Sequence, residues 1–134
     1  MQKLGDNKQY DINQLNQLQE QSKIFEIFEN PHPDMDYVIR SETKEFTAIC
    51  PVTGQPDFGK IIVETKPDKF CIELKSLKMY FLSFRNRGIF HEDVTGKIAK
   101  DIIDTIKPKW LKVTGEFSVR GGISTTVVFE YPQR

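Results

Sequence analysis

From Asp36 onwards the chain alternates with a period of two. Tyr37, Ile39 and Ser41 oppose Val38, Arg40 and Glu42, and the run continues towards Cys50, which predicts a strand with one face turned to a core. Ile61, Val63 and Thr65 alternate with Lys60, Ile62 and Glu64 as a second strand, and Phe70 to Ile72 follow the Pro67-Asp68 turn as a short third. The period then changes. Leu77, Tyr80, Phe81 and Phe84 fall at helical spacing, with Gly88 as the expected stop. Val94, Ile98, Ile102 and Ile106, widened by Ala99 and Ile103, form the apolar stripe of a second helix from about His91 to Ile106, closed by Pro108. Alternation returns in Leu111, Val113, Phe117 and Val119, set against Lys112, Thr114, Glu116, Ser118 and Arg120. Gly121-Gly122 suits a hairpin turn into a last strand, Ile123 to Tyr131.

Strands, two helices, then a hairpin imply an α+β domain: an antiparallel sheet with two helices on one face. One open sheet leaves unpaired edges, and small domains hide such edges by association, so a homo-oligomer is expected. Residues 1–33 differ in composition, with Gln14, Asn16, Gln17, Gln19 and Gln21 among Leu15, Leu18, Ile24, Phe25, Ile27 and Phe28, before Pro31 and Pro33. They predict a short helix or ordered arm, an extension beside a single domain at 34–134.

Composition narrows the function classes. The 19 basic and 19 acidic residues cancel, so no field favours a polyanion, which argues against direct nucleic-acid binding. No run reaches the 18 or so apolar residues that span a membrane, and Met1 to Tyr10 has no signal-peptide character. A cytoplasmic protein without membrane partners is expected. Two cysteines, Cys50 and Cys71, are too few for a disulfide framework and point to free thiols.

Three segments carry candidate chemistry. In Cys50-Pro-Val-Thr-Gly-Gln-Pro-Asp57, a thiol stands where a strand meets a rigid loop, and a carboxyl group returns at the loop's far end. Together they permit covalent addition to an electrophile and proton transfer to the product nitrogen, although a free cysteine is commonly a small buried hydrophobe and such a loop simply a turn. In Glu73-Leu-Lys75-Ser-Leu-Lys78-Met-Tyr80, two lysines three apart sit on neighbouring helix positions and suit a phosphate, or a solvated face. Glu73 suits a ligand or the helix dipole. Phe84-Arg-Asn-Arg-Gly-Ile-Phe-His91-Glu92-Asp93 is more polar than a connector needs. Glu92 suits the amide and amino edge of a guanine-like ring, and equally the first turn of a helix. Arg120 before Gly121-Gly122 suits a cofactor phosphate or a plain hairpin. There is no Gly-x-Gly-x-x-Gly and no phosphate-binding Walker loop, so a nucleotide would be held by side chains in a surface cleft.

From about Phe46 to Ile123, these segments resemble, in order and spacing, the NADPH-dependent 7-cyano-7-deazaguanine reductases of queuosine biosynthesis. The Glu-Leu-Lys-Ser-x-Lys-x-Tyr stretch separates these from the GTP cyclohydrolase relatives that share the tunnelling fold. The resemblance implies that fold, a single-module subunit, and a homo-oligomer of two stacked pentameric rings with sites between subunits. It implies that Cys50 attacks the nitrile carbon to form a thioimide, that Asp57 supplies the proton, and that two NADPH molecules deliver hydride in succession. It assigns Ile72, Glu73, Leu74, His91 and Glu92 to the deazapurine, and Lys75 and Lys78 to NADPH, to which Arg120 is added as a phosphate contact; no metal is implied. The amino-terminal segment has no counterpart in it.

Two other classes compete. A zinc-dependent pterin or purine hydrolase on the same fold needs Cys50, Cys71 and His91 to converge on a metal. A non-catalytic, ring-forming binding module needs only an unreactive Cys50.

Overall fold

The computed structural model describes residues 2–3 and 11–133. The elements are β1 (Gln2–Lys3), α1 (Ile12–Gln17), a 3-10 turn (Gln21–Ile24), β2 (Glu26–Glu29), β3 (Ile39–Ile49), β4 (Pro56–Lys66), β5 (Phe70–Ile72), α2 (Leu74–Leu82), α3 (His91–Ile106), β6 (Trp110–Arg120) and β7 (Ile123–Tyr131). The class is α+β, as expected, but the strands form two sheets. The four-stranded sheet runs β3-β4-β6-β7 and is antiparallel throughout. The short strand β5, expected to extend it, pairs with β2 instead, and β1 adds to β2 in parallel.

That pairing corrects the expected extension. Residues 4–10 of it lie outside the described residues, but Leu15, Ile24, Phe25 and Ile27 are buried in the same core as Ile61, Leu111 and Val113. Phe25 stacks on Tyr80 with ring centroids 4.2 Å apart. The segment thus belongs to the domain, because the sheet and two helices alone would leave these aromatic faces in water. Its Gln-rich surface obscured four apolar anchors spaced too irregularly to show one period.

Helix α3 lies across β6 and β7 and buries Val94, Ile98, Ala99, Ile102 and Ile106, the predicted stripe. It ends at Lys107, whose backbone is left-handed (φ 45°) and whose N–H bonds to the Ile103 carbonyl. Helix α2 begins on Glu73, whose carboxylate accepts from the backbone N–H groups of Lys75 and Ser76 at 2.7 and 2.8 Å. It ends at Leu82, short of the expected Gly88. Ser83 terminates it by donating to the Tyr80 carbonyl while accepting from the Gln21 side-chain amide.

Two register shifts break the simple alternation. Between Thr43 and Phe46 the β3–β4 pairing slips by one residue. The inward positions therefore change from Ile39, Ser41 and Thr43 to Phe46 and Ala48. A second shift, between Phe117 and Arg120 against β7, turns Arg120 away from the face that strict alternation assigns to it and leaves Val119 64% exposed. Both bulges re-aim residues at the same end of the sheet.

Candidate active site

That end holds the β3–β4 turn. The Cys50 N–H bonds to the Gln55 carbonyl at 2.8 Å, and the Gly54 N–H bonds to the Cys50 carbonyl at 2.9 Å. Residues 51–54 thus close a tight loop, with Gly54 at φ +72°, where a side chain would be strained. Ala48 lies opposite Asp57, and the bulge puts Cys50, two residues on in the same register, on the Asp57 face. Without the bulge, the thiol would point to the far side of the sheet.

Cys50 is a half-buried free thiol. The Thr53 hydroxyl, then the backbone N–H groups of Thr53 and Val52, draw its pKa below the ordinary thiol value. Partial burial and the negative charge of Asp57 oppose them without prevailing. Donors aimed at a sulfur stabilise thiolate, the nucleophilic form. Cys71 is the opposite case. It is buried in β5, where desolvation, countered in part by a hydrogen bond with Tyr37, raises its pKa.

Asp57 is buried, with both oxygens engaged. Arg120 Nε lies 2.7 Å from Oδ1 and His91 Nε2 lies 3.5 Å from Oδ2. Arg120 also donates to the Pro56 carbonyl at 2.5 Å and, more weakly, to Gln55 Oε1 at 3.4 Å. It is the second bulge that brings this guanidinium over the loop. His91, at the start of α3, stacks on Phe117. Phe117, read from the sequence only as a core position, is the floor of the site. Its signal was indirect: the aromatic is flanked by Gly115 and faces Gly59 across the pairing, positions that leave room for a flat ring.

The α2–α3 connector completes the surroundings. The Ile49 N–H bonds to the Arg87 carbonyl at 2.9 Å, and the Ile89 N–H bonds to the Ile49 carbonyl at 3.1 Å. Residues 87–89 thereby run alongside the last residue before Cys50, bridged at Gly88. The polar connector singled out from sequence lies beside the Cys50 loop. Glu92 is exposed in the first turn of α3, next to Asp93.

The other expected site residues lie elsewhere. Ile72 is half-buried and paired with Ile27, Glu73 caps α2, and Leu74 is 69% exposed. Lys75 is exposed on the first turn of α2. Lys78 and Leu74 border a cleft of about 870 Å³ that wraps the edge of β3, with Arg40, Arg85, Phe58 and Phe81 among its other walls. Thr47 and Phe58, which also line it, are cross-strand partners on the face opposite Ala48 and Asp57. Within one chain, then, Cys50, Asp57, His91 and Arg120 are brought together, while Lys78 of the lysine motif borders a separate cleft. Cys50, Cys71 and His91 do not converge, because Cys71 belongs to the small sheet, and among the described residues no three His, Cys, Asp or Glu side chains group as metal ligands.

The family model for QueF-like proteins matches residues 56–134. A protein of Syntrophus aciditrophicus (strain SB) described as NADPH-dependent 7-cyano-7-deazaguanine reductase is 53% identical over 110 residues, covering 82% of this chain and 79% of the relative. One of the same description from Chloroherpeton thalassium (strain ATCC 35110 / GB-78) is 51% identical, covering 81% of this chain and 94% of the relative. Among solved structures, the archaeosine synthase QueF-Like in the apo form superposes with a TM-score of 0.65 at 26% identity, over 69% of this chain and 91% of that one.

Proposed function

This chain belongs to the family of NADPH-dependent 7-cyano-7-deazaguanine reductases, and on that premise we propose how its residues carry out the reaction: reduction of the deazapurine nitrile to the aminomethyl group, with Cys50 as nucleophile and Asp57 as proton carrier. The observation that carries this reading is the thiol on a tight loop, with three donors lowering its pKa and a buried carboxylate on the neighbouring strand.

Cys50 adds to the nitrile carbon. The S–C bond forms as one C–N π bond breaks, and the nitrogen takes a proton, giving a thioimide on the protein. Asp57 is suited to move that proton from thiol to nitrogen, since it shares the Cys50 face and is held at both oxygens. Two NADPH molecules, bound in turn, would each supply one hydride; the C–S bond of the half-reduced carbon breaks as the second is delivered, returning the Cys50 thiolate and leaving the carbon as the aminomethyl group. The covalent link retains the partly reduced carbon, which water would otherwise hydrolyse.

The residues around the β3-edge cleft fit such a cofactor. Lys78, Arg40 and Arg85 offer cations for phosphates, and Phe58, Phe81 and Leu74 offer apolar walls for rings. Lys75, one turn before Lys78, adds charge at its rim. Arg120 is less free, since a cofactor phosphate must compete with Asp57 for it. We assign Glu92, with His91, to the deazaguanine edge, and Ile72, Glu73 and Leu74 to the pocket wall.

Assembly reconciles the two separated halves. Among the described residues, strands β3 and β7 border the four-stranded sheet with edges left unpaired by any strand, apart from the bridge of Ile49 to Gly88, and pairing them between copies generates a closed ring. We infer the tunnelling fold, with stacked pentameric rings in which the β3 cleft of one subunit meets the Cys50 loop of another. The cytoplasm, where NADPH is at hand, is the setting this implies.

The decisive test is intact-mass spectrometry of the protein mixed with 7-cyano-7-deazaguanine without NADPH. An adduct of the substrate's mass on the peptide containing Cys50, absent in Cys50→Ala, is expected. An unshifted mass in the wild-type protein rejects the covalent route.

A further inference from the structure

The amino-terminal segment and Arg87 are unused by the mechanism above, yet they meet beside it. Arg87 lies on the connector whose backbone borders β3. Its Nε donates to the Ser83 carbonyl at 2.8 Å, and its Nη2 donates to the Leu15 carbonyl at 3.0 Å and to the Leu18 carbonyl. The neighbouring Asn86 N–H bonds to Asn16 Oδ1 at 3.1 Å, and the Gln21 side-chain amide donates to Ser83 Oγ at 2.6 Å. Four residues of the amino-terminal segment thus grip three of the connector. The carbonyls of Leu15 and Leu18 close the end of α1, where backbone acceptors lack helical partners. A planar guanidinium can serve several such acceptors at once.

The connector passes this grip on. The Arg87 carbonyl accepts from the Ile49 N–H, the Ile49 carbonyl accepts from the Ile89 N–H, and a Cβ added at Gly88 would meet the Cα of Pro51, the residue after Cys50, at 3.7 Å. Ile49 is therefore held on one side by β4 and on the other by the connector. An open strand end would otherwise fray there.

We propose that Arg87 is a positioning residue for Cys50: by tying the connector to the carbonyls of Leu15 and Leu18, it makes the amino-terminal segment the clamp that fixes the nucleophile loop. The inference rests on the reading of Cys50 as the nucleophile, but its consequence for the thiol can be measured without the reaction. The donors that favour the thiolate all lie in residues 51–54, so a loosened loop base lets them drift from the sulfur. The segment then contributes to reactivity although none of its residues touches substrate.

The test is the rate of Cys50 alkylation by iodoacetamide across pH, followed by peptide mass spectrometry in full-length Arg87→Met, Arg87→Lys and Asn16→Ala proteins. Leu77→Ala serves as a control that loosens the core at a residue that makes none of the clamp's hydrogen bonds. Arg87→Met is expected to shift the pH profile towards higher pH and to slow alkylation at neutral pH by about tenfold, the loss of thiolate that a profile moved by about one pH unit brings. Arg87→Lys, which keeps the charge but serves fewer carbonyls, should recover part of this, and Asn16→Ala should shift the profile in the same direction by less. Leu77→Ala should lower the melting temperature and leave the profile in place. Should Arg87→Met fail to fold, Arg87→Lys and Asn16→Ala decide the matter. Wild-type profiles in the folded clamp variants, or an equal shift in Leu77→Ala, overturn the proposal. Loss of nitrile reduction with an unchanged alkylation profile also counts against it. The absence of any nitrile adduct in the wild-type protein would instead count against the reductase mechanism.

Discussion

The imidazole of His91 lies flat on the ring of Phe117, with centroids 3.9 Å apart and planes within 2° of parallel. Two glycines make the stack possible. A Cβ on Gly115 would stand 2.7 Å from the Phe117 ring and from Thr95 Oγ1, and one on Gly59 would stand 2.9 Å from the same ring. The ring can lie along the sheet only where its neighbours have no side chain, and His91 then rests on it with Nε2 turned to Asp57.

Gly115→Ala should therefore cost stability through overpacking, by about 1–3 kcal/mol. Equilibrium urea unfolding checks this. An unchanged midpoint would mean that the ring moves aside freely, and the platform would then be no constraint on His91.

Phe117→Leu retains most of the apolar volume but removes the flat face. Affinity for the deazapurine, measured by calorimetry with Cys50→Ala to prevent adduct formation, should weaken several-fold while the melting temperature changes little. Equal affinity in the two proteins would leave Phe117 a packing residue only.

The pH dependence of alkylation follows from the two thiols. Cys50 is shifted down, first by the Thr53 hydroxyl, so its thiolate persists to lower pH than that of an ordinary cysteine. Thr53→Val should move the half-maximal rate to higher pH. Cys71 is shifted up by burial and should remain unmodified in the native protein at pH values where Cys50 reacts fully. Peptide mapping after timed exposure distinguishes the two, and faster labelling of Cys71 would contradict the assignment.

Arg120→Met leaves the buried Asp57 carboxylate without its closest cation. Turnover should fall steeply, and Arg120→Lys should restore it only in part, since a lysine cannot hold Asp57 and the Pro56 carbonyl in one plane. Steady-state kinetics with NADPH varied separately show whether the loss falls on kcat, as expected of a residue that holds Asp57, or on the KM for NADPH, as expected of a phosphate contact.

Glu73→Ala removes the cap of α2 and should destabilise the fold by about 0.5–2 kcal/mol. If Glu73 also lines the substrate pocket, Glu73→Gln should weaken substrate binding by more than its change in stability explains. Thermal unfolding and calorimetry on the same sample separate the two effects.

What could be read directly from the residues was what depends on near neighbours. The stripe Val94, Ile98, Ile102 and Ile106 specifies α3 because helical spacing stacks those positions on one face. The pairs around Gly121-Gly122 specify the β6–β7 hairpin because the turn and both strands adjoin in sequence, and the Cys50–Asp57 segment marked the candidate loop because the thiol and the carboxylate flank one tight turn. Tertiary structure decided the rest. A strict period of two cannot register a one-residue bulge, yet two bulges determine on which face Cys50 and Arg120 stand. Four apolar anchors among glutamines give no period at all, so it is packing against Tyr80 and its neighbours that makes residues 11–30 part of the domain. The meeting of Arg87 with Leu15 and Leu18, about seventy positions apart, depends on where three elements cross, because a hydrogen bond senses distance in space and carries no memory of distance along the chain.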